Sequence, residues 1–419
     1  MTRDALLATG IVMSYASQIE VPGIPYGIGE LCLLLWIVLA LGRILVEGTV
    51  EITPALVRLT WFWGILAVSL GVGTIVGYFT SVLYPSNVMH DSMAYTLVAC
   101  VTCLAASEPD AHRRLRRCAW WVVGIANATF VVQVGLAFGW IHQSGIEPWY
   151  WDRFRGWSSN PNQIALYCAI FGPLALHLAT TTEKPVAKLL GLACMILPFY
   201  IGRLTKSDTF LYTSVLTWLI FLGLHARTWL MARKGSTSLG RQAAILLIVA
   251  SLPLTMALSP FGIAGLGNAE SFAKSLTKDK GGQATAQTAE LRLTLWGDAL
   301  ETGLASASIG LGPGPHLQRP NLRENGDLPR PFEAHNTFLD LYTQGGLVAV
   351  AALVWLIGTA AYLVWRAKLD ALLALTVALV IFSLPHLIIR HPIMWFVLTL
   401  CLLAGTPPKT APISARKGW

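Results

Sequence analysis

The stretch Pro25-Tyr-Gly-Ile-Gly-Glu-Leu-Cys-Leu-Leu-Leu-Trp-Ile-Val-Leu-Ala-Leu-Gly-Arg-Ile-Leu45 sets the reading of the whole chain. Between Glu30 and Arg43 it holds no charged residue. An apolar run of about 20 residues crosses the ~30 Å hydrocarbon core of a bilayer as one helix. Comparable runs recur at 5–19, 56–81, 91–107, 118–140, 162–181, 187–203, 208–226, 242–260, 340–365, 370–389 and 391–406. Across the 419 residues, 54% are hydrophobic and 12% charged, and the mean hydropathy is +0.58. Soluble domains carry about 25% charged residues, so an ordinary soluble enzyme is excluded. The chain reads as an all-α polytopic membrane protein of about twelve transmembrane helices.

The net charge of +8 suggests nucleic acid only in a soluble protein. Here most of the 30 Lys and Arg residues fall in short loops on one side of the expected spans. Such a bias marks the cytoplasmic side and places both termini there. Five cations break the rule, in short loops on the other face: Arg153, Arg155, Arg203, Lys206 and Arg390. A basic cluster close to a membrane surface calls for an anionic partner, and a phosphate-bearing lipid headgroup fits. Cys100-Val-Thr-Cys103 has redox-motif spacing, but no second pair accompanies it, so it reads as buried small hydrophobes.

The boundaries expected are 1–260 for helices one to nine, 261–335 for a long outer loop, 336–407 for helices ten to twelve and 408–419 for a cytoplasmic tail. Within the loop, Leu291, Leu295, Asp298 and Ala299 repeat at helical spacing over 288–304. Gly310-Leu-Gly-Pro-Gly-Pro315 cannot be regular structure.

Three polar segments map to the outer face. In Trp151-Asp-Arg-Phe-Arg-Gly-Trp-Ser-Ser-Asn-Pro-Asn-Gln163, Asn160 and Asn162 flank a helix-opening proline. Its bland reading is an aromatic belt with arginines on lipid phosphates. Arg203-Leu-Thr-Lys-Ser-Asp208 packs two cations, two hydroxyls and a carboxylate into one turn, with Asp208 read as the cap of the next helix. Pro331-Phe-Glu-Ala-His-Asn-Thr-Phe-Leu339 brings His335 to a membrane boundary beside Asn336. An imidazole titrates in general near pH 6.5, which suits a proton acceptor.

Arg155-Gly156, Asn160-Pro161-Asn162, Arg292, Trp296, Gly310-x-Gly312-x-Gly314, His335-Asn336 and Gly345-Gly346, in this order around one long outer loop, resemble the O-antigen ligase and polymerase superfamily over about residues 150–350. The resemblance implies glycosyl transfer at the periplasmic face of a bacterial inner membrane. The donor implied is a glycan on undecaprenyl diphosphate. The ligase branch, favoured here, uses the lipid A–core oligosaccharide as acceptor. A polymerase or a protein O-oligosaccharyltransferase of the same superfamily is the alternative.

Arg155 and Arg292 match the family's arginines and are expected to converge on the diphosphate, with His335 as general base. Arg153, Arg203, Lys206, Asp208, Asn160, Asn162, Asn336 and Gly312 are expected to bind substrate. Many relatives carry Ser-Arg where this chain has Ser207-Asp208, with Arg203 or Lys206 available to supply the charge. The first outer loop offers only Glu20 to a divalent cation, so neither metal nor cofactor is expected, nor is nucleic acid a partner. The enzyme is expected to be a monomer among membrane lipids. A twelve-helix transporter is the remote alternative, disfavoured because ionisable residues within the spans are scarce.

Overall fold

The computed structural model describes residues 2–21, 23–80, 83–231, 280–319 and 330–406. It is a helical bundle with three short antiparallel hairpins at one end. The helices are α1 Thr2–Met13, α2 Ile28–Glu47, α3 Pro54–Thr80, α4 Pro85–Ala106, α5 Ala111–Ala137, α6 Pro161–Thr181, α7 Pro185–Ala193, α8 Ile196–Leu204, α9 Asp208–Met231, α10 Lys280–Ala305, α11 Thr337–Arg366, α12 Asp370–Ser383 and α13 Pro392–Ala404.

Among the described residues, eight helical stretches are long and apolar enough to cross a membrane, with α7 and α8 together forming one of them. The expected run 187–203 is therefore broken, at Cys194-Met195. Three further expected spans are shorter than twelve full crossings require. Helix α1 has 12 residues, α12 has 14 and α13 has 13. At 1.5 Å per residue these reach about 18–21 Å. Burial explains the last: every residue from Pro392 to Leu403 is buried, so protein and not lipid sets the length of α13. The expected span 242–260, most of the long loop before 280 and the tail 408–419 lie outside the described residues.

Helix α6 is the other buried core helix, enclosed along nearly its whole length. A helix apolar all round belongs inside a bundle. Trp395 of α13 packs against Phe62 and Trp63 of α3, with ring centroids 5.1 and 4.3 Å apart. Helices α3 and α11 approach closely through small residues. A Cβ on Gly73 would lie 2.6 Å from the Gln344 carbonyl. Helix α11 is kinked at Gly346, whose φ of 68° and ψ of −167° leave the helical region. The Leu347 N–H turns instead to the Ser308 carbonyl at 2.9 Å.

The hairpin end gathers the connections before α6, α9, α11 and α13. A small separate core fastens α10 there. Leu295 and Ala299 pack with Leu317 and Ala334, beside Leu291, Trp296, Phe332 and Leu339. The helical periodicity legible around Leu291–Ala299 is therefore the face that docks α10 onto the start of α11.

Candidate active site

The first polar segment folds as a hairpin, Trp149–Tyr150 against Arg153–Phe154. Its turn places Trp151 at φ 59°. Asn160 caps α6, its side chain accepting from the Asn162 N–H at 2.9 Å, with Pro161 in the first turn. Asn162 in turn accepts from Arg153 Nη2 at 2.8 Å. Arg153 Nε donates to the Thr205 carbonyl at 3.0 Å. The first and second polar segments are thus one unit, joined by Arg153.

Lys206, at φ 48°, pairs with Asp152 at 2.7 Å, and this pairing holds the Asp152 carboxyl below its usual value. Ser207, and not Asp208, caps α9: its Oγ accepts from the Phe210 N–H at 3.4 Å. Asp208 opens the helix with its side chain exposed. Arg203 lies in the last turn of α8, partly exposed.

Arg155 is engaged within its own loop. Its guanidinium donates to the Glu147 carbonyl at 2.9 Å, to the Glu147 carboxylate at 2.7 Å and to the Ser159 carbonyl at 3.4 Å. It also lies 5.5 Å over the Tyr150 ring. The arginine brought toward Arg292 is Arg153. Burial first, and then the charge of Arg153, lower the Arg292 pKa from its ordinary value, while Asp208 opposes the shift. Arg153 is likewise lowered by burial, with Asp208 and Asp152 opposing. Two half-buried guanidiniums lie within electrostatic reach of one another here, and Asp208 acts on both. Arg292 has no hydrogen bond or ion pair among the described residues.

His335 sits in the left-handed region at φ 53°, its ring edge-on to Phe332 with centroids 5.1 Å apart. The clamp on either side is Asp340, one turn into α11. Its Oδ1 accepts from the Ala334 N–H at 2.7 Å and its Oδ2 from the Asn336 N–H at 3.1 Å. Asn336 caps α11, accepting from Phe338 N and Leu339 N at 3.0 and 3.2 Å. This is a reciprocal cap built around the histidine. Asp340 could have been read from the sequence as an acid four residues after a capping Asn.

A second residue, His386, lies on the α12–α13 connection. Thr337 Oγ1 donates to its carbonyl at 2.7 Å and accepts from the Ile388 N–H at 2.9 Å. The ring stacks on Phe382, centroids 5.0 Å apart, and its buried Nε2 has no hydrogen-bond partner among the described residues. Burial, and then the charges of Arg292, His335 and Arg153, push its pKa down to about 3. No sequence signal marks it, because 49 positions separate it from Thr337.

The glycine stretch threads between α3 and α11. Leu311 N and Gly312 N donate to the carbonyls of Thr343 and Gln344, both at 2.8 Å. Gly312 has φ 94°, and a Cβ there would stand 2.8 Å from Thr74 Cα. Its role is backbone approach. Arg390 pairs with Asp91 and with Glu333, and despite burial these two carboxylates hold its guanidinium above its ordinary pKa. Among the described residues no group of three His, Cys, Asp or Glu side chains could hold a metal ion.

Residues 193–354, which contain Arg203, Arg292, Gly312, His335 and Asp340, match the family model described as O-antigen ligase. The match spans 162 of the 419 residues and is consistent with the O-antigen ligase superfamily. No curated protein and no solved structure matches the chain. That family's model implies glycosyltransferase-like activity on polysaccharide and lipid-linked substrates for the superfamily in general, and the apolar helices of this chain are those of a multi-pass membrane protein. The hairpin that carries Arg153 and Arg155 precedes the matched segment and meets it through Thr205 and Asp152–Lys206.

Proposed function

We propose that the protein is an O-antigen ligase, moving a glycan from undecaprenyl diphosphate to the lipid A–core oligosaccharide at the periplasmic face of the inner membrane. The observation that supports this reading is that the charges of Arg292, His335 and Arg153 all act on the buried His386 ring, and that of Arg153 on Arg292, within and beside the segment that matches the family model. Both termini then face the cytoplasm, and the hairpin end faces the periplasm.

The acceptor hydroxyl oxygen attacks the anomeric carbon. The bond from that carbon to the diphosphate oxygen breaks, and the diphosphate leaves with the electron pair, opposite to the incoming oxygen, so the centre inverts. Arg153 and Arg292 hold the diphosphate, whose leaving oxygen gains negative charge as the bond breaks. Guanidinium forks suit such oxygens better than ammonium groups do, and fixed cations contribute most where charge develops. His335 takes the hydroxyl proton. Arg153, docked on Thr205, supplies the positive charge that relatives carry beside Ser207, and Arg155 braces the loop through Glu147. Asp91, an acid within a span, is paired with Arg390, which disfavours an ion-carrying role and with it a transporter.

The test is transfer by purified protein supplied with an undecaprenyl-diphosphate glycan and lipid A–core, without added metal. Product on lipid A–core supports the ligase. Product only on a second carrier-linked glycan assigns a polymerase, and product only on a polypeptide assigns a protein glycosyltransferase. His335→Ala should abolish transfer but leave donor binding intact, whereas a silent His335→Gln would reduce the residue to a helix-capping role.

A further inference from the structure

Helix α1 stops at Met13, and tight turns follow it, with Ala16 N and Ser17 N donating to the Met13 and Tyr15 carbonyls at 2.9 and 2.8 Å. These turns carry Gln18 across the base of the hairpin that holds Arg153. Gln18 Nε2 donates to the Gly156 and Ser158 carbonyls at 2.9 and 2.7 Å and to the Glu147 carbonyl at 3.2 Å. Its Oε1 accepts from the Glu147 N–H at 3.1 Å, and its own N–H donates to the Trp157 carbonyl at 2.9 Å. One side chain thus ties both legs of the hairpin together. The platform under it is fixed: Ile11 and Tyr15 are wholly buried, Ser14 Oγ lies 2.7 Å from the Tyr167 hydroxyl of α6, and Asp4 pairs with Arg114 of α5 at 3.1 Å.

The hairpin needs such a hold. Its strands have two residues each, and a two-stranded hairpin alone is marginal in water. Its tip is fixed to the turn between α8 and α9 by Asp152 and Lys206. Arg153 stands between that tie and the base, so both ends set where its guanidinium points. We propose that Gln18 is a positioning residue for diphosphate binding, acting through the hairpin base on Arg153. The inference rests on the transferase reading of Arg153 and extends it to a residue outside the segment that matches the family model. The side-chain amide suits the task because it donates and accepts at once, bonding carbonyls on one side and an N–H on the other. Binding groups keep their geometry only when supporting residues lock them from a rigid element, and α1 is that element.

The experiment uses the full-length protein in detergent and measures its affinity for undecaprenyl diphosphate and undecaprenyl monophosphate, beside hydrogen exchange over 147–160. Gln18→Met keeps the bulk without the side-chain hydrogen bonds, and Gln18→Glu turns a carboxylate on three carbonyls. Both should speed exchange within 147–160 and weaken diphosphate binding about tenfold, the loss expected of one charge-assisted hydrogen bond, with a smaller loss for the monophosphate. In an Arg153→Lys background, Gln18→Met should add no further loss, as for residues acting as one unit. Unchanged diphosphate affinity in both variants, equal losses for the two lipids, or a loss that multiplies with that of Arg153→Lys would overturn the proposal. In the wild type, undecaprenyl diphosphate should slow exchange at 14–18 as well as at 147–160, since coupling between two sites is reciprocal. Protection confined to 147–160 would overturn the proposal even if the variants did not fold. A wild type that binds both lipids equally would refute the diphosphate reading of Arg153 itself, and faster exchange at 147–160 in the Gln18 variants would then show that the failure lies there and not in the hold on the hairpin.

Discussion

Removing the clamp around His335 should separate catalysis from binding. Asp340 accepts two backbone N–H bonds, one from each neighbour of His335, and it is 3% exposed. In Asp340→Ala both donors are orphaned in a buried site. Each costs about 1–3 kcal/mol, so the pair costs about 2–6 kcal/mol. That is a large share of the roughly 5–15 kcal/mol that separates a folded domain from its unfolded chain. Asp340→Asn keeps one carbonyl oxygen and should lose about half as much. His335 at φ 53° is held against a cost of about 1–2 kcal/mol for a residue with a Cβ. Without the clamp its backbone should relax toward negative φ and carry the imidazole away from the acceptor hydroxyl.

A displacement of about 1 Å in a reacting group costs about 10²-fold. Asp340→Asn should therefore lower kcat by about that factor and leave KM for the lipid-linked donor nearly unchanged, if donor binding rests on the arginines as proposed. The assay is initial-rate transfer beside thermal unfolding, in wild type, Asp340→Asn, His335→Ala and the double variant. If Asp340 acts through His335, the double variant should be no slower than His335→Ala alone. A double variant slowed by the product of the two single effects, or an Asp340→Asn enzyme with full kcat, would refute the positioning role. His335→Asn is the folding control: Asn tolerates left-handed φ and lacks the base, so it should unfold like wild type and transfer poorly.

Three further outcomes follow from the same geometry. Arg292→Lys should lose about 10²-fold in transfer, since a point charge does not reproduce a fork on phosphate; Arg153→Lys should behave alike, whereas Arg155→Lys should alter thermal stability more than kcat. Gly312→Ala should lower Tm sharply, because its φ of 94° and the 2.8 Å approach to Thr74 Cα leave no room for a methyl; a wild-type unfolding curve would contradict the threaded loop. Acid should destabilise the fold through His386 and His391, whose buried rings titrate near 3 and 4, below the ordinary 6.5. The unfolded chain then binds protons that the native state does not, so stability is complete above about pH 6.5 and falls as pH drops toward 4; Tm measured from pH 7.5 to 4.5 should show this slope, and His386→Phe should flatten it.

Much of this architecture is legible in the sequence, since apolar runs and their breakers are local signals. Pro161 and Pro392 open helices where their positions suggest, and the Leu291–Ala299 spacing marks the docked face of α10. Span counting goes astray where helices are enclosed by protein, because length reports bilayer thickness only for a helix that lipid surrounds. The site is legible in its segments but not in its pairings. Arg153 and Arg155 are equivalent in composition and position. What separates them is Glu147, which captures Arg155, and the Thr205 carbonyl, which captures Arg153. His386 is tied to the start of α11 by the Thr337 hydroxyl on its carbonyl, a contact that leaves no pattern along the chain.

The same captures determine where positive charge is left over. Arg155 is matched by Glu147, Lys206 by Asp152, and Arg390 by Asp91 together with Glu333. Three of the cations that mark this face in the sequence are thereby committed to protein carboxylates. Among the described residues Arg153, Arg203 and Arg292 are left without an ion pair, and of these Arg153 acts against the charge of Arg292 while Asp208 acts on both. Half-buried like charges cost free energy until an anion arrives, and His386 beside them stays neutral and adds no further repulsion. A dianionic diphosphate relieves that repulsion and can use both forks at once. The arrangement is thus better matched to a ligand of two linked phosphates than to a single lipid phosphate at the membrane surface, and this is the physical reason for preferring the transferase reading of the arginines over the belt reading.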